Sequence, residues 1–226
     1  MSQKIDRISI QVGLSGYSFT LQTADSKRTS GWMSAGRIFT TPEFQKRYGD
    51  VQISVFTPKV TLVPQQFHDD RADVHMLSDV ADVRDGDSVA SVDVPDFGAV
   101  LVYSNTIGET LSKAVSETVL DYAGNKAKPL PEMYYMLRTV LDLPDYNKIL
   151  ASYMDGYLYL VIAQGRSLLL CNSFQAPDFT TAEYFIFLAM KKLQLNPEVS
   201  TICFRTPLSE EDEMSLYRYF KNVESV

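Results

Sequence analysis

The hydrophobic pattern is densest between Asn147 and Phe174. Three apolar runs follow one another there, Asn147–Met154, Tyr157–Ala163 and Arg166–Phe174, separated by Asp155-Gly156 and Gln164-Gly165. Asp-Gly between apolar runs is a strong hairpin signal, because both turn residues need positive φ and these two tolerate it. The pattern predicts a three-stranded meander. Tyr157-Leu158-Tyr159-Leu160-Val161-Ile162-Ala163 has no polar alternation, so this strand is expected to be covered on both faces.

The N-terminal pattern differs. Ile8, Ile10, Val12 and Leu14 alternate with polar residues, which predicts a half-buried strand. Ser15-Gly16 turns the chain, and Tyr17, Phe19 and Leu21 alternate on the return. Ala24–Arg28 reads as a polar turn and Trp32–Phe39 as a third strand. Thr40-Thr41-Pro42-Glu43 starts a short helix, with a Thr cap, Pro in the first turn and an acid beside the helix dipole. Val51, Ile53 and Val55 alternate as a fourth strand, stopped by Pro58.

Further along, Lys59–Val63 reads as a strand and Pro64 opens a helix through about Val80. Asp82–Asp87 is an acidic turn. Ser88–Val94 and Ala99–Tyr103 read as strands, and Asn105 caps a helix carrying Leu111, Val115 and Val119 on one face. Asp121–Pro129 is a strand or loop. Pro131 sits in the first turn of a helix whose Met133, Leu137, Val140 and Leu141 follow helical spacing. After the meander, Asp178–Leu195 is a helix apolar on several sides, hence expected to be sandwiched. Asn196-Pro197 ends it. Val199–Phe204 is a strand, and Ser209 with Asp212 resembles a capping box opening the last helix.

Written as elements, the C-terminal part is strand-strand-strand-helix-strand-helix. The N-terminal part begins strand-strand-strand-helix-strand, followed by a longer insertion. This repeated order predicts a mixed α/β (α+β) chain of two ribonuclease-H-like halves, each a mixed five-stranded sheet flanked by helices. The expected halves are residues 1–145, with an irregular insertion at about 59–130, and 146–226. This is the duplicated plan of the actin, sugar-kinase and heat-shock ATPase superfamily. Three stretches carry a resemblance over most of the chain: Thr57-Pro58-Lys59-Val60-Thr61-Leu62-Val63-Pro64, Asn172-Ser173-Phe174 and Leu193-Gln194-Leu195-Asn196-Pro197. By these the chain resembles an uncharacterised bacterial family, domain of unknown function 3822, assigned an actin-like ATPase fold. The resemblance implies a fold and no activity.

In active members of that superfamily two β-hairpins grip the phosphates, each typically with Asp-x-Gly. The carboxylate holds Mg²⁺ and the glycine lets backbone amides approach phosphate. The corresponding stretch here is Gln11-Val12-Gly13-Leu14-Ser15-Gly16, with Gln11 at the aspartate place. Gly13, Ser15 and Gly16 could still offer amides to an anion. The second hairpin reads Met154-Asp155-Gly156, with Met154 at the aspartate place and Leu160 where a hydroxyl residue is common. Asp155 lies one residue off, on the opposite face. Arg205-Thr206-Pro207 replaces the adenosine-binding Gly-Gly expected after the late strand. Gly13, Ser15, Gly16, Asp155 and Gly156 are therefore candidate remnants of phosphate hairpins, with plain hairpin turns the favoured reading of both glycine pairs. We expect no catalytic residue, no metal and no cofactor, with ATP and Mg²⁺ disfavoured.

Composition narrows the partners. The net charge of -7 and pI near 4.9 argue against a nucleic-acid or anionic-membrane surface. Met1-Ser2-Gln3-Lys4-Ile5-Asp6 has no signal-type apolar run behind it, and no segment approaches a membrane span. A cytoplasmic protein is the expectation. Cys171 and Cys203 read as buried free thiols rather than a disulfide. His68, Asp69, Asp70, Asp73 and His75 lie close in sequence. On a helix the two histidines stand two turns apart, about 10.5 Å, so a solvated helix face is favoured over a metal site. Asp85-Gly86-Asp87 lacks the remaining oxygens of a calcium loop. Asp96-Phe97-Gly98 copies a kinase signature without the other kinase motifs. Thirteen Tyr and twelve Phe are a high aromatic content; ordinary core packing with hydroxyls at the rim is favoured over a protein interface, which surface aromatics would also serve. The expectation is a non-enzymatic actin-like protein that binds another protein, with a nucleotide-binding ATPase or switch as the alternative.

Overall fold

The structure is a computed structural model describing residues 6–226; Met1–Ile5, part of the N-terminal stretch read above, lie outside the described residues. From the N terminus the strands are β1 (Arg7–Val12), β2 (Gly16–Gln22), β3 (Lys27–Thr29), β4 (Met33–Ser34), β5 (Arg47–Tyr48), β6 (Asp50–Val55) and β7 (Val60–Pro64). Next come α1 (Asp73–Ser78), β8 (Val89–Val94), β9 (Ala99–Ser104), α2 (Glu109–Thr118), β10 (Leu120–Asp121), β11 (Leu130–Pro131) and α3 (Glu132–Asp142). The chain finishes with β12 (Asn147–Met154), β13 (Tyr157–Gln164), β14 (Ser167–Gln175), α4 (Phe179–Lys192), β15 (Thr201–Phe204), α5 (Glu210–Tyr217) and β16 (Asn222–Ser225).

These elements form two compact units. The first takes the chain up to Thr57 with Gly86–Ser88 and Ser104–Glu132; the second takes Pro58–Asp85, Val89–Tyr103 and Met133–Val226. In the first, the sheet order is β11-β6-β1-β2-β3, with β4 also pairing β2. β1 runs antiparallel to β2 and parallel to β6, and β6 runs parallel to β11. Period-two alternation divides this sheet cleanly. Ile8, Ile10, Val12, Ile53, Tyr17 and Phe19 fill a core with Phe44 and with Val115 of α2. The Tyr17 and Phe44 rings lie 5.0 Å apart, and the Tyr17 hydroxyl bonds Thr41 Oγ1 at 2.6 Å. The alternate residues form a polar row: Arg7 faces Asp50, Ser9 faces Gln52 and Gln11 faces Ser54.

In the second unit the order is β14-β13-β12-β15-β16, again a meander followed by two strands parallel to its first. A separate sheet of order β7-β9-β8 belongs to this unit. Leu158, Leu160 and Ile162 pack with Ile149 and with Ala182 and Ile186 of α4. Their neighbours Tyr159 and Val161, on the opposite face, are equally buried. The strand without polar alternation is covered on both faces, as its sequence requires. Full burial of each such side chain stabilises by about 1.5–3 kcal/mol.

Two caps follow their side chains, whereas Thr41 makes no side-chain cap to the short 3-10 turn Pro42–Gln45. Asp178 accepts from the Thr181 amide at 2.7 Å at the start of α4. Ser209 accepts from the Asp212 amide at 3.1 Å while its hydroxyl donates to the Asp212 carboxylate at 2.7 Å.

Several expectations are corrected. Within Trp32–Phe39 only Met33–Ser34 pairs as a strand; Ala35–Thr40 is a 3-10 helix that buries Ile38 and leaves Phe39 outside, and the third strand is Lys27–Thr29. The segment from Pro64 to Val80 is not one helix but two 3-10 turns, Gln65–Phe67 and Asp70–Ala72, followed by the six-residue α1. Extended backbone at His68 and Asp69 breaks it. Asn105 makes no side-chain cap; its amide donates to the Pro129 carbonyl at 3.2 Å. The second meander turn closes between Gln164 and Ser167, one residue later than read. No helix among the described residues is long and apolar enough to cross a membrane.

Candidate functional site

The first hairpin joins β1 to β2 through a loop from Gly13 to Ser15, with Val12 and Tyr17 paired across its base. Inside it the Gly13 amide donates to the Gly16 carbonyl at 3.0 Å, and the Ser15 carbonyl accepts from Ala35 at 3.3 Å. Leu14 and Ser15 are exposed at the tip. Gly16 is dictated by space, since a Cβ there would stand 2.1 Å from the Met33 carbonyl oxygen as β4 closes on β2.

Gln11 is tied down. Its Nε2 donates to Glu132 Oε1 at 3.2 Å, and its Oε1 accepts from Ser18 Oγ at 3.4 Å. Ser54 Oγ donates to the other Glu132 oxygen. Glu132 is fully buried and lies at the carboxyl ends of the parallel strands β1, β6 and β11, where open α/β sheets place ligands. It opens α3, where a carboxylate also complements the helix dipole. Sequence reasoning missed this residue. Pro131-Glu132 reads as an ordinary helix start, and only the parallel register brings Gln11 and Ser54 to it.

The second hairpin is a tight two-residue turn with Met154 paired to Tyr157. Asp155 has φ 53° and Gly156 φ 76°, both left-handed, as such a turn demands. The Gly156 carbonyl accepts from Ala176 at 2.8 Å. A Cβ on Gly156 would meet only ordinary contacts at 3.8 Å, so conformation rather than crowding selects this glycine. Asp155 is exposed, and Leu160 is fully buried in the core. Gly13, Ser15 and Gly16 thus share one loop of the first unit, and Asp155 and Gly156 share one turn of the second.

Beyond β15, Arg205 Nη1 donates to Thr139 Oγ1 at 2.7 Å, and the guanidinium lies 5.9 Å from the centre of the Tyr135 ring. The buried Thr206 hydroxyl accepts from the Tyr153 amide at 2.9 Å. A long side chain anchored to α3 and a buried hydroxyl stand where the resemblance expects two glycines.

The acidic stretch after β7 also differs from expectation. His68 is no part of a solvated helix face: its side chain is only 11% exposed, with Nε2 2.8 Å from Asp73 Oδ1 and Nδ1 3.5 Å from Asp70 Oδ1. His75 is exposed. Cys171 and Cys203 are free thiols, Cys203 buried and Cys171 half-buried. Burial pushes the Cys171 thiol up to about 12 and the Cys203 thiol up to about 11, so both stay protonated at neutral pH.

Two mixed sheets of the same strand order, each with a meander followed by two parallel strands, are the mark of the actin-like ATPase fold. The match to solved structures agrees. A Bacteroides thetaiotaomicron protein with actin-like ATPase fold and unknown function has 16% identity and a TM-score of 0.67, over 99% of this chain and 91% of that one. The PilM-PilN type IV pilus biogenesis complex matches with 12% identity and a TM-score of 0.50, over 99% of this chain and 88% of the matched one. Among curated proteins no sequence matches. The model of the family described as protein of unknown function (DUF3822) matches residues 3–223, and the chain belongs to that family.

Proposed function

We propose that this protein is a non-enzymatic member of the actin-like fold that works in the cytoplasm by binding another protein. The observation that carries this reading is Gln11. At the place where the resemblance puts a metal-holding carboxylate stands a neutral amide, engaged with Glu132 and Ser18. A neutral amide gives Mg²⁺ no charge to pair with, and Mg²⁺ loses its water reluctantly. Met154 at the second aspartate place and Arg205 beyond β15 support the same reading. The similarity to a pilus biogenesis complex is an analogy for an adaptor role. Exposed Tyr184, Tyr217 and Tyr219 are of the kind that protein interfaces use.

A second reading, a nucleotide-dependent switch, draws on Glu132, which returns a carboxylate to the Gln11 position from a different element. Its complete burial favours the first reading. Calorimetric titration with Mg-ATP and Mg-ADP separates them. The adaptor reading expects no binding tighter than about millimolar, some 4 kcal/mol, and tighter binding overturns it. A monodisperse monomer that recovers no partner from its own cell lysate would count against the adaptor role itself.

A further inference from the structure

We propose that His68 and Asp70 form a binding site for a divalent transition-metal cation, with Asp73 orienting the imidazole. The buried Asp73 carboxylate lies 2.8 Å from His68 Nε2. A carboxylate only accepts, so the ring proton sits on Nε2. A ring neutral in that tautomer offers its Nδ1 lone pair as a metal ligand. Nδ1 faces a second acceptor, Asp70 Oδ1, at 3.5 Å. A cation between them, a metal ion or the second proton of an imidazolium, satisfies both.

The spacing suits a metal ion. Bonds of about 2.0–2.1 Å from zinc to nitrogen and oxygen span that separation at an angle of about 115–120°, near tetrahedral. The supports are in place as well. A carboxylate that fixes the tautomer is the usual partner of a ligating histidine, and Asp73 supplies it. The His68 side chain is 11% exposed and held, whereas Asp70 is 89% exposed and leaves the outer positions to water. Asp69 is occupied locally, accepting from the Arg71 amide at 3.0 Å. One imidazole nitrogen and one carboxylate oxygen suit Zn²⁺ or Co²⁺ better than the all-oxygen ions Ca²⁺ and Mg²⁺. With two protein ligands the site is exchangeable. The site lies within the second unit and does not depend on the adaptor reading.

The test uses full-length, tag-free protein at neutral pH, titrated with Zn²⁺ by calorimetry and with Co²⁺ by visible absorption. One equivalent should bind, and Co²⁺ should show the intense bands of a four-coordinate ion. Asp70→Asn, at an exposed position that leaves the fold intact, should weaken binding about tenfold or more. His75→Ala, altering the chain's other histidine, should leave it unchanged. Three results overturn the proposal: no saturable binding, binding insensitive to Asp70→Asn, or binding abolished by His75→Ala. The cation between Nδ1 and Asp70 would then be a proton.

Discussion

The first and second meanders share a strand order and differ in what their faces do. Around β1 the sheet is amphipathic, with Ile8, Ile10 and Val12 inside and Ser9, Gln11, Gln52 and Ser54 in a cross-strand polar row that ends on buried Glu132. Around β13 both faces are apolar and closed. The turns differ in the same sense. Gly16 is needed because another strand crowds it, and Gly156 because its φ is left-handed. One topology thus carries an apolar core on one face and a hydrogen-bonded polar row on the other in the first unit, and apolar packing on both faces in the second.

The comparison can be broken most forcefully in the second meander. Leu160→Ala should cost about 4 kcal/mol, measured by urea unfolding, because it opens a cavity in a strand covered on both sides. A loss below about 1 kcal/mol would mean that this sheet is not held by packing. In the first meander, Glu132→Ala leaves the half-buried Gln11 and buried Ser54 donors without their acceptor, and about 3 kcal/mol should be lost. Glu132→Gln, which keeps an acceptor, should recover more than half of that. Equal losses for the two variants would show that shape rather than hydrogen bonding matters there.

The turns give a smaller contrast. Gly16→Asn should cost about 2 kcal/mol through overpacking against Met33. Gly156→Asn should cost less than about 1 kcal/mol, since Asn tolerates positive φ. Reversal of that order would remove the distinction between crowding and conformation. The smallest effect concerns Asp178, whose carboxyl is held below its usual range by the hydrogen bond from Thr181. A depressed folded-state value stabilises above the unfolded carboxylate pKa and loses that contribution as pH falls through the folded one. Asp178→Ala should therefore lower stability at neutral pH and converge with the parent chain in acid.

Much of this fold was legible where periodicity was long. The alternation of β1, the unbroken apolar run of β13 and the stretch from Phe179 to Lys192 each appear where the pattern put them. So does the Ser209–Asp212 cap. Short elements escaped because they bury too little to leave a pattern: β16 buries only Val223 and β11 only Pro131. The helix expected from Pro64 failed for a related reason. His68 and Asp69 take extended backbone, and contact with Asp73 then draws the imidazole inward. The candidate hairpins could be located from sequence, but not the engagement of Gln11. That contact joins residues 121 positions apart and depends on parallel register, which single-strand patterns do not encode.

Under the proposed function both hairpins keep their shape without metal–phosphate chemistry. The backbone amide resonances of Gly13, Ser15, Gly16, Asp155 and Gly156, followed while Mg-ATP is added, decide this. No saturable shift is expected at any of the five up to about millimolar nucleotide. Saturable shifts confined to these two turns, lost when Mg²⁺ is withdrawn, would contradict it.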